Sequence, residues 1–228
     1  MRGSDYQSLP RLKGDHAKYA KEFVKAGIDV YSTPSLSCTT CGRIIPMVKE
    51  KVFQIGNFSV TPLEVQHDVE CYAYLIHHPE YGSIYFFTDA YNMKQAIRGC
   101  KCYMCECNYD DSLLERAVNE GKTIASQADR IRLSHMSLAH GIQLLQQCEA
   151  EKSAHQIILI HGSSRHLNPE KAVSKFQQVL GVPTFYAKAG MEINLTNVNQ
   201  YGSIQESQRP PHLHVSLEGN RQGERSRL

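Results

Sequence analysis

Apolar residues at Ala17, Ala20, Phe23 and Val24 recur at helical spacing, which predicts a helix over residues 15–26 stopped by Gly27. Residues 28–33 then read as a short strand. Runs 52–55 and 58–65 flank the turn dipeptide Gly56-Asn57, and runs 72–77 and 83–88 flank the turn residues 79–82, so two hairpins are expected. A strand is predicted over 102–107. Next comes a helix capped by Asp110 or Asp111 and stopped at Gly121. Further on, residues 137–150 have helical spacing and 156–160 form a nearly continuous apolar run. Asn168-Pro169 opens a helix that ends at Gly181, since Asn suits the cap and Pro the first turn. Runs 184–187 and 191–195 read as closing strands. From Thr196 the pattern dissolves, and 205–228 is polar, with little to bury, so a flexible tail is expected over 196–228. Strands interleaved with helices, together with hairpins, predict a layered α/β domain with a mixed sheet.

The chain of 228 residues is long enough for one medium domain with its own core. Its net charge of +2, from 25 Lys and Arg against 23 Asp and Glu, gives no basic field that argues for nucleic acid by itself. No apolar run reaches the roughly 20 residues of a membrane span, and no signal peptide opens the sequence. The eight cysteines are therefore expected as reduced thiols of a cytoplasmic protein. Cys38 and Cys41, like Cys102 and Cys105, have the two-residue gap of a zinc knuckle. Alternation along the predicted strand sends Cys102 to the face opposite Cys105 and Cys107, which favours a core role.

The polar residues that end the strands carry the chemistry. Gln66-His67-Asp68 follows the run 58–65, Thr88-Asp89-Ala90 follows 84–87, and His161-Gly162-Ser163-Ser164 follows 157–160. Asp15-His16 opens the first helix. In layered α/β folds, sites assemble beyond strand ends. Imidazole and carboxylate are the donors that Zn²⁺ and similar ions take, with one position left open in catalytic sites. The constellation reads as a metal site.

With these motifs in order, residues 14–195 resemble the metallo-β-lactamase-fold hydrolases, especially the ribonuclease Z-like and bacterial or phage exonuclease-like branches. Gly14-Asp15-His16 is similar to the end of the His-x-His-x-Asp-His motif, and Phe87-Thr88-Asp89-Ala90 to the Thr-Asp motif. The run from Ile158 to Arg165 resembles the last motif, an apolar strand followed by His and Ser. Glu106-Cys107-Asn108-Tyr109-Asp110 and Ser134-His135-Met136-Ser137 resemble segments of the exonuclease-like branch. The resemblance implies an αββα sandwich with mixed sheets. It also implies two metal sites: one of Asp15, His16 and His161 with Asp89 bridging, the other of two leading histidines with His67 and Asp89. The leading positions here read Arg11 and Lys13. Arginine stays protonated and has no lone pair to give, so the second site keeps only His67 and Asp89.

One or two ions per chain are implied, Zn²⁺ or else Mn²⁺ or Fe²⁺, with a mononuclear centre the most that the residues support directly. Such an ion lowers the pKa of water to about 7 and so supplies a nucleophile at neutral pH. The reading is then a phosphodiesterase or nuclease acting on nucleic acid, with Asp89 and His135 catalytic and His135 donating a proton to the leaving oxygen. The alternative is a catalytically inactive remnant or binding module on the same scaffold. The resemblance also implies paired strands ahead of Gly14, which residues 1–13 do not supply. Residues 1–13 thus read as a segment foreign to the fold, by truncation or by natural divergence, ahead of a hydrolase domain over 14–195. Of the remaining histidines, His77, His78, His140 and His155 are expected in solvent, and His166 is a candidate phosphate contact. Lys18, Lys21 and Lys25 are expected to form a solvated helix face.

Overall fold

The computed structural model describes residues 19–37, 44–67 and 70–195. Arg11, Lys13, Asp15, His16, Cys38, Cys41 and the expected tail over 196–228 lie outside the described residues. Helix α1 (Ala20–Lys25) ends at Gly27, whose φ of +80° suits glycine. Strand β1 (Val30–Ser32) pairs in parallel with β2 (Ile44–Pro46) across the short helix α2 (Pro34–Ser37). The main sheet follows, built from β3 (Phe53–Ile55), β4 (Phe58–Gln66), β5 (Tyr72–His78), β6 (Gly82–Phe87), β8 (Cys102–Glu106), β9 (Gln156–Ile160) and β10 (Thr184–Tyr186). The two-residue strand β7 (Asn92–Met93) pairs with the end of β4. Helices α3 (Asp111–Asn119), α4 (Ala125–Ser134), α5 (Leu138–Gln147) and α6 (Ala150–Ser153) separate β8 from β9, and α7 (Pro169–Leu180) separates β9 from β10.

The strand order is β10-β9-β8-β6-β5-β4-β3. Strands β3 to β6 are antiparallel hairpins, joined by short turns as expected. Strands β6, β8, β9 and β10 are parallel, so each crossover must travel back along the sheet through other structure. The sheet is therefore mixed, as expected.

Alternation along the strands sends Leu63, Val65, Ala73, Tyr85, Phe87, Tyr103, Cys105, Ile157 and Leu159 into one buried cluster. Ile142, Leu144 and Leu145 of α5 and Ala172, Phe176 and Leu180 of α7 cover it. Gly141 lets α5 approach α7, because a Cβ there would stand 3.1 Å from the Phe176 ring. The other face carries an apolar row running across six strands: Pro62, Tyr74, Phe86, Met104, Ile158 and Phe185 lie side by side in register. Pro62 and Ile158 are buried and the other four are half-buried. The β1–β2 unit is tied to the sheet where Glu50 N–H donates to the Pro62 carbonyl at 2.8 Å.

Helix α2 and strands β2 and β7 have no counterpart among the expected elements, and three further differences stand out. The helix expected over 137–150 stops at Gln147, because Glu149 takes a left-handed φ of +52° before the separate turn α6. Residues 191–195 form no strand; Met191 N–H closes a turn on the Lys188 carbonyl, with Gly190 at φ +77°, and β10 stays the sheet edge. Helix α4 was not expected, since only Ala128 and Ser134 of it are buried and Leu133 faces solvent. Its apolar stripe is too thin to read. Among the described residues no helix is long and apolar enough to cross a membrane.

The six described cysteines are free thiols. Cys100, Cys105, Cys107 and Cys148 sit in the main core, while Cys102 faces the other side next to Tyr81. Burial pushes the thiols of Cys102, Cys107 and Cys148 up to about 12 and that of Cys100 up to about 11. In the unfolded chain these groups ionise near 8.5, so the stability they confer is whole below about pH 8.5. It is lost as pH rises toward the folded values, at roughly 1.4 kcal/mol per thiol and pH unit. The urea midpoint is accordingly expected to fall steeply between about pH 8 and about pH 10.5, with the fall reduced by about a third when Cys102 and Cys107 are both alanine, since Cys71, Cys100, Cys105 and Cys148 keep their raised thiols.

Candidate metal centre

Strands β4, β6, β8 and β9 all run in one direction, because β4 and β6 are each antiparallel to β5 and the other two are parallel to β6. Their C-terminal ends thus fall along one edge of the sheet. His67 follows β4, Asp89 follows β6, Glu106 closes β8, and His161 follows β9. His135 arrives from the long crossover between β8 and β9. It ends α4, with its N–H on the Ile131 carbonyl, two residues before Ser137, whose hydroxyl caps α5 by accepting from His140 N–H.

The centre of the cluster is the Glu106 carboxylate, which has no solvent exposure. Its Oε1 accepts from Nδ1 of His135 at 2.7 Å and from Nδ1 of His161 at 2.9 Å, and its Oε2 accepts from Ala90 N–H at 2.9 Å. A buried carboxylate is tolerable only with such donors around it. Asp89 Oδ1 lies 3.5 Å from His161 Nε2 and 3.7 Å from His135 Nδ1. The side chains of Asp89, His135 and His161 are 17%, 24% and 31% exposed, so solvent and small molecules reach all three. His67 lies next to His135, with ring centroids 6.3 Å apart, and its Nδ1 donates to the Ser134 carbonyl at 3.0 Å.

Asp89 and His161 both adopt left-handed backbone, with φ of +51° and +56°. Such a conformation costs a side-chain-bearing residue about 1–2 kcal/mol, and it persists where the surroundings enforce it. Glu106 fixes the peptide after Asp89 through Ala90 N–H, and Asn108 Nδ2 donates to the His161 carbonyl at 2.8 Å. The chain thus turns off the ends of β6 and β9 within one or two residues, on either side of Glu106 at the end of β8.

The donor set suits a divalent cation. Both His67 and His161 spend Nδ1–H on an oxygen acceptor, which fixes the tautomer and leaves Nε2 with its lone pair. The 3.5 Å between His161 Nε2 and Asp89 Oδ1 is close to the edge of a tetrahedron of donors about 2.0–2.1 Å from zinc. One potential ligand atom from each of Asp89, Glu106, His135 and His161 lies within 4.8 Å of the others. The Glu106 contacts at 2.7 and 2.9 Å are shorter than that tetrahedral edge and are hydrogen bonds that orient the imidazoles.

Asp89, His135 and His161, expected from the sequence, come together at one edge of the sheet with His67 next to His135, while Asp15 and His16 lie outside the described residues. Glu106 is the functional group that the strand-end reading passed over. Its signal was the same as that of Asp89 and His161, an acid or imidazole closing an apolar run. Two histidines differ from expectation. His166 is buried, 4% exposed, with Nε2 against Thr123 Oγ1 at 3.0 Å and Nδ1 against Ser163 Oγ at 3.3 Å, so it is not open to a phosphate. Burial and the neighbouring Arg165 hold its pKa below the usual histidine range. His78 packs its ring 4.8 Å from Phe58 and is half-buried; His77, His140 and His155 are exposed as expected.

No protein-family model and no curated protein matches the sequence. Solved structures match its fold. The metallo-β-lactamase fold protein YhfI from Bacillus subtilis superposes with a TM-score of 0.56 at 17% identity, over 76% of this chain and 68% of YhfI. An isothiocyanate hydrolase from Delia radicum gut bacteria gives 0.50 at 11%, over 76% of this chain and 69% of that one. A diphosphatase of the PhnP family gives 0.50 at 13% identity, over 72% of this chain and 56% of its own. The chain has the metallo-β-lactamase fold, of which it spans a little over half to two-thirds of the length of these proteins.

Replacing His166 by Ala is expected to lower stability by about 1–3 kcal/mol in urea unfolding, chiefly through the buried Thr123 hydroxyl that loses its imidazole partner, since Ser163 Oγ keeps the N–H groups of Arg165 and residue 166. Zinc uptake by the same variant, followed by isothermal titration, is expected to be unchanged.

Proposed function

We propose that this chain is a metal-dependent hydrolase of phosphodiesters, with nucleic acid as its substrate. The observation that carries the proposal is the Asp89, Glu106, His135 and His161 cluster at the ends of three adjacent parallel strands. In this reading Asp89 and His161 Nε2 hold the ion together with Asp15 and His16, and His67 with Asp89 is what remains of a second site. Zn²⁺ suits imidazole and carboxylate donors best, with Mn²⁺ or Fe²⁺ as alternatives. A divalent ion at that point acidifies water and draws electrons from a phosphoryl oxygen.

The chain's own residues do the rest. Glu106 receives Nδ1–H of His135, which turns Nε2 of that ring toward the open side of the cluster. His135 then hands its Nε2 proton to the leaving oxygen, while Glu106 holds the ring in place through Nδ1. Asp89, fixed by its left-handed backbone, orients the incoming water and keeps His161 in place. The similarity to a diphosphatase and to an isothiocyanate hydrolase supports hydrolysis as the reaction class. The preference for nucleic acid rests on the motifs around Asp89, Glu106, His135 and His161. Free thiols in the core support a reducing, cytoplasmic setting.

A second reading has its own observation. Arg11 and Lys13 stand where two metal-binding histidines are expected, which favours an inactive binding module on the same scaffold. Elemental analysis of the purified protein separates the two. About one equivalent of metal, lost in Asp89→Ala, supports the hydrolase; metal-free protein supports the binding module. In the metal-loaded protein, His135→Ala is expected to lower kcat on a short RNA by about 10²–10⁴ with metal content unchanged.

A further inference from the structure

Between Glu106 and Asp110 the chain makes contacts that the proton relay does not use. Asp110 has its own task, since its side chain accepts from Ser112 N–H at 2.8 Å and caps α3. Asn108 sits where the two histidine-bearing loops come together. Its N–H donates to the Met136 carbonyl at 2.9 Å, directly after His135. Its carbonyl accepts from Ser163 N–H at 2.8 Å, two residues after His161. Its side-chain Nδ2 donates to the carbonyl of His161 itself at 2.8 Å. The two main-chain bonds are open to any residue except proline; the third needs an amide donor of this length.

That third bond acts on the strained position. With φ at +56°, the His161 peptide has no regular secondary structure to hold it. The next residue, Gly162, is closely approached as well. A Cβ there would stand 2.9 Å from Leu167 Cδ2 and 2.9 Å from Tyr186 Cε2, and would run into the Tyr186 hydroxyl. The loop is thus held by Asn108 and packed against Tyr186 and Leu167. His161 Nε2 is thereby kept 3.5 Å from Asp89 Oδ1.

We infer that Asn108 is a positioning residue for the metal centre: its side-chain amide holds the His161 carbonyl, and so the imidazole, in the orientation that serves the ion. The inference rests on the metal-dependent reading above for its function, though not for the bond itself. Asp has the same shape as Asn and no N–H to give, so Asn108→Asp isolates the donor. In Asn108→Asp and Asn108→Ala, zinc affinity measured by titration is expected to fall about 10- to 100-fold, the usual effect of losing a group that orients a ligand. In the metal-free protein, the ring signals of His161 are expected to shift or broaden in the NMR spectrum of either variant, while those of His67 stay in place. Zinc affinity and His161 signals that both match the unmodified protein would overturn the inference. Zinc binding absent even from the unmodified protein would overturn the metal reading and leave the NMR comparison to decide on Asn108. Should both variants fail to fold, the unmodified protein still tests the bond. One proton of the Asn108 side-chain amide must then be protected from exchange, and a freely exchanging pair would dispose of it.

Discussion

A fully buried carboxylate with three donors on it organises this molecule. Glu106 lies at the end of the central strand β8, where water cannot reach it, and an unpaired charge there would be untenable. The demand for compensation acts on the neighbours. It draws the Ala90 amide toward β8 from the end of β6, the His161 ring from the end of β9, and the His135 ring from the helical crossover. Each of these groups reaches Glu106 only when its own segment is correctly placed. The carboxylate is therefore a point at which four separate stretches of chain agree.

The same arrangement explains why the site carries strain. Asp89 and His161 sit in left-handed backbone directly after strands, where the chain must turn over the sheet edge within one residue. Glycine would turn there at lower cost and would bring neither carboxylate nor imidazole. The energy lost in these two turns is offset by the packed layer beneath, where Tyr85, Phe87, Tyr103 and Phe176 are fully buried. Packing and strain thus lie close together, with Phe87 closing β6 in the core two residues before Asp89 turns over the edge.

The hairpins over 52–65 and 72–88, the parallel strand 156–160 and the helix opened by Asn168-Pro169 were legible because their signals are local. Turn dipeptides, alternation and caps act within a few residues. The strand-end histidines and Asp89 were legible for a related reason, since a polar residue closing an apolar run stands out. Glu106 closes such a run as well, yet its role depends on three donors that lie 16, 29 and 55 positions away. No spacing rule reports that. The misjudged elements fail on tertiary grounds. Helix α4 buries too little to show periodicity, residues 191–195 alternate without a strand to pair with, and His166 looks polar in sequence while two hydroxyls hold it inside.

The order of strands has a kinetic meaning. Strand β9 enters beside β8 only after the whole of α3, α4, α5 and α6 has been traversed, and parallel pairing of that kind is among the slower events in folding. His161 is carried in by β9, and the donors on Glu106 are complete only then. An immature chain can hold its hairpins and its helices while Glu106 still lacks the imidazole of His161. The full donor set on that carboxylate is therefore a marker that β9 has found β8 across the long crossover.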